Sequence, residues 1–298
     1  MKNLPALIGV VHLPALAGAP ESLRRGESPS QALQRAGLRA VAETRVLEKA
    51  GFQGIILENF GDVPFYRDRV PAETVASMAV IAAAVRESTR LPIGINVLRN
   101  DALSALAIAA VCGCDFIRVN VLSGVAATDQ GFIEGQAAAL LRERARLGAD
   151  PAGDSGGIRG IYILADVHVK HARSLSSPGG PQGLELAIEE SALRAGADAV
   201  ILTGATTGRE ADAEELAIAA ETCCRHGLAW YVGSGINLRN IAAIRALPAA
   251  PGLSVGCMIG SALRKGGLAG APLNPAAVTA LARAFAGKRS PSKGKSQR

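Results

Sequence analysis

Eight short apolar runs recur along this chain, at about 6–12, 54–58, 92–97, 115–121, 159–168, 198–203, 228–234 and 254–260. Between and after them lie stretches of helical length with one apolar face, near 30–50, 73–90, 101–112, 134–147, 182–196, 212–225, 238–246 and 275–287. Three of the junctions share one pattern: a helix ends, a glycine turns the chain, and an apolar strand begins. They are Ala50-Gly51-Phe52-Gln53-Gly54-Ile55, Cys112-Gly113-Cys114-Asp115-Phe116-Ile117 and Ala195-Gly196-Ala197-Asp198-Ala199-Val200. Glycine just past a helix takes the left-handed cap without steric cost, so the pattern reads as one supersecondary unit repeated.

Strands that are almost continuously apolar and alternate with helices indicate a parallel sheet buried on both faces. Eight such units predict closure into a single parallel (β/α)8 barrel, the TIM-barrel architecture, over residues 1–287. An open doubly wound sheet is the alternative. The connections after the first, second, fourth and fifth runs (13–28, 59–72, 122–133, 171–181) are long, and most of those before runs are short. That asymmetry places the functional loops on the rim at the strands' C-terminal ends. Segment 148–157 is the exception and reads as an insertion on the opposite face.

Composition changes the picture in three places. Of 298 residues 49% are hydrophobic but only 3% aromatic, so the core must be built of Ala, Val, Ile and Leu. The net charge of +6 comes mostly from Lys288, Arg289, Lys293, Lys295 and Arg298, so the body is nearly neutral. Residues 288–298 are therefore read as a basic, disordered tail, with weak peripheral contact to an acidic membrane as its one expected partner. The basic pI gives no support for nucleic-acid binding. Five cysteines, an odd number without zinc spacing, point to reduced thiols in a cytoplasmic protein. The start of the chain imitates a secretory leader, but Pro5 and His12 interrupt its apolar stretch, which also supplies the first strand. No run is long enough to span a membrane.

Polar residues at strand ends are the informative ones, because a barrel core should be apolar. His12 ends the first run; Glu58, Asn59 and Asp62 follow the second; Asn96 ends the third, with Arg99, Asn100 and Asp101 beyond it. Arg118 and Asn120 lie two apart on the fourth, and Thr203 ends the sixth. Asp166, His168 and Lys170 share one face of the fifth, an expensive set to bury without a purpose. Helix capping accounts for Asn59, Asp62, Asn100 and Asp101 at least as well as function does. Gly233, Ser234 and Gly235 close the seventh run, and Gly260 and Ser261 the eighth. Loops at these places form the common phosphate site of such barrels.

Several long motifs resemble those of the BtpA family. They are Ile8-Gly9-Val10-Val11-His12-Leu13-Pro14, Leu57-Glu58-Asn59-Phe60-Gly61-Asp62-Val63-Pro64-Phe65, Gly94-Ile95-Asn96-Val97-Leu98-Arg99-Asn100-Asp101, Phe116-Ile117-Arg118-Val119-Asn120, Thr128-Asp129-Gln130-Gly131 and Ala165-Asp166-Val167-His168-Val169-Lys170-His171. The resemblance implies a ribulose-phosphate-binding type of TIM barrel and, from the family's name, a link to photosystem I biogenesis. The Asp-x-Lys-x-x-Asp strand of phosphosugar decarboxylases is not matched, because His168 stands where the lysine would be.

The leading expectation is an enzyme of lyase, isomerase or aldolase type acting on a small phosphorylated metabolite. Asp166, His168, Lys170, Glu58 and His12 are its candidate catalytic residues, with His168 as proton shuttle. Asn96, Arg118, Asn120 and Thr203 would bind substrate, and Gly233, Ser234, Gly235, Gly260 and Ser261 the phosphate. Metal-dependent hydrolysis is the alternative, with a divalent ion on Glu58, Asp166 and His168. A non-catalytic assembly factor is the third reading, and a homo-oligomer is compatible with all of them.

Overall fold

The fourth residue of each repeated junction shows why the motif recurs. Gln53, Asp115 and Asp198 each place a side-chain oxygen on the backbone N–H that opens the preceding strand: Ala6 at 3.0 Å, Ile93 at 2.9 Å and Ile163 at 2.7 Å. Each also donates its own N–H to a carbonyl of that strand. The glycine two residues earlier is left-handed at Gly51, Gly113 and Gly196. One local device thus ends a helix and sets the register of the next strand beside the previous one.

The computed structural model describes residues 4–151, 160–167, 172–176, 179–204 and 212–287. In chain order the elements are β1 (Leu7–His12), α1 (Pro29–Ala50), β2 (Gly54–Glu58), α2 (Ala72–Ser88), β3 (Ile93–Asn96), α3 (Ala102–Cys112), β4 (Phe116–Val119), β5 (Val125–Thr128), β6 (Gly131–Glu134), α4 (Ala137–Arg146), β7 (Tyr162–Val167), β8 (Ala172–Ser174), α5 (Pro181–Glu189), β9 (Ala199–Leu202), α6 (Ala213–Arg225), β10 (Ala229–Val232), α7 (Ile241–Arg245), β11 (Gly256–Ile259) and α8 (Pro275–Phe285). Strands β1, β2, β3, β4, β7, β9, β10 and β11 close into a parallel barrel, with β1 hydrogen-bonded to both β2 and β11. The expected eight-stranded barrel is therefore the observed one.

Strand pleating divides the core into two layers. Ile8, Val10, Ile56, Phe116, Leu164, Ile201, Tyr231 and Met258 point inward and fill the barrel as one cluster. Their neighbours in sequence, such as Leu7, Val11, Ile55, Leu57, Ile117 and Ile163, point outward and pack with the helices. Two inward rings fit only because the adjacent strand has no side chain there. A Cβ on Gly94 would stand 2.1 Å from the Phe116 ring, and one on Gly256 would stand 2.1 Å from the Tyr231 ring.

Two expectations about connections are corrected. Residues 122–133 and 171–181 are not simply loops, because β5, β6 and β8 form an antiparallel three-stranded sheet above the barrel. Gly131, at φ 99°, closes the β5–β6 hairpin, and Val121, Ala126 and Ile133 form its small core. Four-residue strands carry too little alternation to stand out from a long connection. The helix expected near 238–246 is also shorter, only α7. The proposed tail at 288–298 and most of the 148–157 segment lie outside the described residues.

Candidate active site

Following the inward face of each strand to its C-terminal end leads from apolar to polar side chains. On β1 the order is Ile8, Val10, His12; on β2, Ile56, Glu58; on β4, Phe116, Arg118, then Asn120; on β7, Leu164, Asp166. This uppermost layer lines a cavity of about 220 Å3 at the barrel mouth. His12, Glu58, Arg118, Asn120 and Asp166 all face it, together with Gly233, Ser234, Gly235, Gly260 and Ser261.

Arg118 is the centre of the layer. Its Nε and Nη2 donate to Asp166 Oδ1 and Oδ2 at 3.0 and 2.9 Å, a bidentate pair, and Asn120 Nδ2 adds a third bond to Oδ2 at 2.7 Å. Glu58 Oε2 lies 3.7 Å from Arg118 Nη1, so the guanidinium stands between two carboxylates. Burial alone would depress the Arg118 pKa, but Asp166 and Glu58 outweigh it and the net shift is upward. Asn96 sits behind: its Nδ2 donates to Asn120 Oδ1 and to the Arg118 carbonyl, at 3.2 and 3.1 Å.

His12 packs its ring on Phe60 and accepts the Gly270 N–H at Nδ1, 3.1 Å away. At the other wall the glycine turns differ from one another. The Gly233 N–H is taken by the Leu202 carbonyl at 2.8 Å, and a Cβ there would strike Ile201 at 2.5 Å. Gly233 is therefore needed for packing, and its amide cannot serve an anion as expected. The Ser234 hydroxyl oxygen accepts the Gly204 N–H. Gly260 approaches His12 instead: a Cβ on it would lie 3.3 Å from Nε2.

Two of the expected substrate-binding residues do not reach the cavity. Asn96, in register with Glu58, is engaged with Asn120 and the Arg118 carbonyl and does not line the cavity, and the methyl of Thr203 packs beside Gly233. His168 and Lys170 lie outside the described residues. The capping account holds for Asp101, which accepts the Ser104 N–H at the start of α3. Asn59, Asp62 and Asn100 instead bond loops together, through Leu98, Leu16 and Val121 respectively.

The cavity also contains residues to which the sequence had assigned no role. Arg99 lines it, and burial lowers the pKa of its guanidinium more than Asp166, Asp129 and Glu58 restore it. Phe60 was visible only as part of a motif. Arg264, with no distinguishing context in the sequence, is fully buried just behind the His12 wall. Among the described residues no group of three or more His, Cys, Asp or Glu side chains is arranged to hold a metal ion. No described helix is long and apolar enough to cross a membrane.

Residues 3–287 match the model of the BtpA family. An uncharacterised protein of Pyrococcus abyssi is 47% identical over 79% of this chain and 80% of its own length. Photosystem I biogenesis protein BtpA of Synechocystis is 42% identical over 94% of this chain and 88% of its own. Among solved structures, N-(5'-phosphoribosyl)anthranilate isomerase of Pyrococcus furiosus aligns with a TM-score of 0.53 at 12% identity, covering 94% of this chain and 98% of the other. GGGPS of Thermoplasma volcanium aligns with a TM-score of 0.53 at 14% identity, covering 96% and 93%. At such identities these two similarities concern the fold alone.

Proposed function

The chain belongs to the BtpA family, and from that premise we propose that it is an enzyme acting on a small phosphorylated metabolite at the barrel mouth. One observation carries the reading: a single cavity is lined on one wall by the glycine turns after β10 and β11 and on the other by His12, Glu58 and Arg118. The phosphate lies on the Gly235 and Gly260–Ser261 side, where backbone can approach closely. Gly233 shapes that wall through its packing rather than its amide.

The reacting end of the substrate then lies over Arg118 and Glu58. Asp166, with both oxygens engaged, holds the guanidinium in one orientation, so that it can stabilise negative charge developing on the substrate. Glu58, which lines the cavity and lies 3.7 Å from Arg118 Nη1 without a bidentate pairing to it, is the carboxylate assigned to proton exchange. His168 and Lys170 follow Asp166 at period two and remain candidates for the proton shuttle and for electrostatic support. The reaction class is proton transfer of the lyase or isomerase kind.

The metal-dependent alternative fits less well. A divalent ion between Glu58 and Asp166 would have to displace Arg118, which is paired with both. The assembly role named for the Synechocystis relative does not extend to the site as such. Proteins of Pyrococcus abyssi and Methanocaldococcus jannaschii, archaea without photosystems, are 47% and 43% identical to this chain.

Thermal shift against paired phosphorylated and dephosphorylated metabolites tests the proposal. At a ligand concentration of about 100 Kd, binding adds ~2.7 kcal/mol. For 298 residues the unfolding entropy is about 0.6 kcal/mol/K, so Tm should rise by about 4 °C for a phosphorylated ligand only. Equal shifts for both members of every pair, or none for either, would remove the phosphate from the proposal.

A further inference from the structure

The tautomer of His12 is set by a backbone group. Its Nδ1 accepts the Gly270 N–H at 3.1 Å, and an amide N–H can only donate. Nδ1 therefore carries the lone pair, and the proton of the neutral imidazole is on Nε2. Phe60 fixes the ring plane, with centroids 4.5 Å apart and planes at 31°. In that orientation the Nε2 edge faces the Gly260 turn, since a Cβ on Gly260 would lie 3.3 Å from Nε2 and 3.4 Å from Cε1. A ring held in this way offers the turn a hydrogen-bond donor. Adding a second proton at Nδ1 would set it against the Gly270 N–H.

Gly270 is itself held from two sides. Arg264, whose side chain is 0% exposed, donates from Nη2 to the Val10 carbonyl at 2.8 Å and from Nη1 to the Ala271 carbonyl at 3.0 Å. The same Nη1 lies 2.9 Å from both Glu43 oxygens, as a hydrogen bond to Oε1 and an ion contact with Oε2. Glu43, on α1, also receives Arg39 Nε at 2.9 Å, and Arg39 Nη2 donates to the Gly270 carbonyl at 2.9 Å. Two arginines and a carboxylate thus clamp the 270–271 peptide between α1 and β1. The clamp is costly: burial depresses the Arg264 pKa more than Glu43 restores it, and Arg264 Nε has no hydrogen-bond partner among the described residues. A loop that needed only to be closed would not require a guanidinium buried so completely.

We propose that His12 is a neutral Nε2–H donor to the anion bound at the Gly260–Ser261 turn, and that Arg264, Glu43 and Arg39 are positioning residues that impose this tautomer through Gly270. The donor role rests on the phosphate reading of the site; the tautomer and the clamp do not. His12 is then a binding residue rather than the proton-transferring base that its place at a strand end suggests.

Two-bond 1H–15N correlation spectra of the 15N-labelled protein, with His12 assigned by His12→Gln, read the tautomer directly. Titration with inorganic phosphate reads the donor role. The unliganded protein should show His12 as Nε2–H, and phosphate should shift that signal and no other histidine's as strongly. Arg39→Gln is the gentler variant, because Arg39 is partly exposed; Arg264→Met is the severe one. Either should turn the His12 signal into a tautomer mixture and weaken phosphate binding about tenfold, the loss of one charge-assisted hydrogen bond. His12→Gln, whose amide can still donate, should bind phosphate more tightly than His12→Leu. A parent protein with His12 as Nδ1–H overturns the inference, and so does an unchanged tautomer in both arginine variants. The Nε2–H tautomer without phosphate binding would overturn the phosphate reading and the donor role with it, while leaving the clamp established.

Discussion

Asp166 offers the sharpest quantitative test of the site. Its side chain is 0% exposed, and its two oxygens accept two bonds from Arg118 and one from Asn120. Asp166→Ala removes both acceptor oxygens and all three bonds, and leaves the buried guanidinium with Glu58, at 3.7 Å, as its remaining carboxylate among the described residues. Breaking a buried pair from one side costs about 3–5 kcal/mol, because the charge left behind is uncompensated. With an unfolding entropy near 0.6 kcal/mol/K for a chain this long, that is a fall in Tm of about 5–8 °C. Replacing both partners should cost less than the single replacements together. Asp166→Leu with Arg118→Met removes both members of the bidentate pair together, at the cost only of the longer Glu58 contact, and the two sites should couple by about 2 kcal/mol. Circular-dichroism melts of the parent, both single variants and the double variant at one scan rate measure the cycle. Single variants within about 1 kcal/mol of the parent, or additivity within about 0.5 kcal/mol, would show that the pair is not the uncompensated, water-excluded arrangement described.

Three further outcomes follow from the same structure. Gly260→Val should weaken binding of phosphorylated ligands more than of their dephosphorylated analogues, since the new side chain meets the His12 Nε2 edge; equal weakening in calorimetry would mean a general turn defect. Burial raises the Asp62 pKa above its ordinary 3.8, so its favourable contribution is full below that value and is lost as pH rises through the shifted one. Relative to the parent, Asp62→Asn should therefore gain stability between about pH 4 and neutrality, and urea midpoints that keep a constant difference over that window would contradict the burial argument. Burial pushes the thiols of Cys114, Cys223 and Cys257 up to about 12, while Cys112 and Cys224 are only half-buried. Mass spectrometry after brief alkylation at neutral pH should find the label on the latter two, and rapid labelling of the buried three in native protein would refute their placement.

Much of this architecture was legible because it is encoded locally. Short, almost continuously apolar runs and helical stretches of period 3.6 reflect burial that each segment needs on its own, and Gly51, Gly113 and Gly196 mark their junctions. The barrel strands consequently fall within the expected runs, with their ends a few residues shorter at most. The pleat of each strand carried the rim: every second residue shares a face, so a polar residue at the end of the inward face stands at the mouth. His12, Glu58, Arg118 and Asp166 were found in this way. The β5–β6 hairpin was not, because four residues are too few for alternation to register against a long connection.

Pairing, in contrast, was decided only by closure. The alternation places Arg118 and Asp166 on inward faces, but nothing within either run says that the guanidinium 48 residues away will occupy both carboxylate oxygens. That contact makes Asp166, a candidate catalytic residue, the bidentate partner of Arg118. Thr203 has the right sequence position for a site but does not reach the cavity, and Gly233 reaches it with its amide already given to the Leu202 carbonyl; both outcomes depend on how each strand is staggered against its neighbours. The amide that sets the tautomer of His12 lies 258 residues further along the chain, reached only because β1 closes against β11. Periodicity fixes which face a residue joins, since burial is a property of each segment. Which atoms meet across that face is a property of the closed barrel, whose stagger brings distant strand ends to one height.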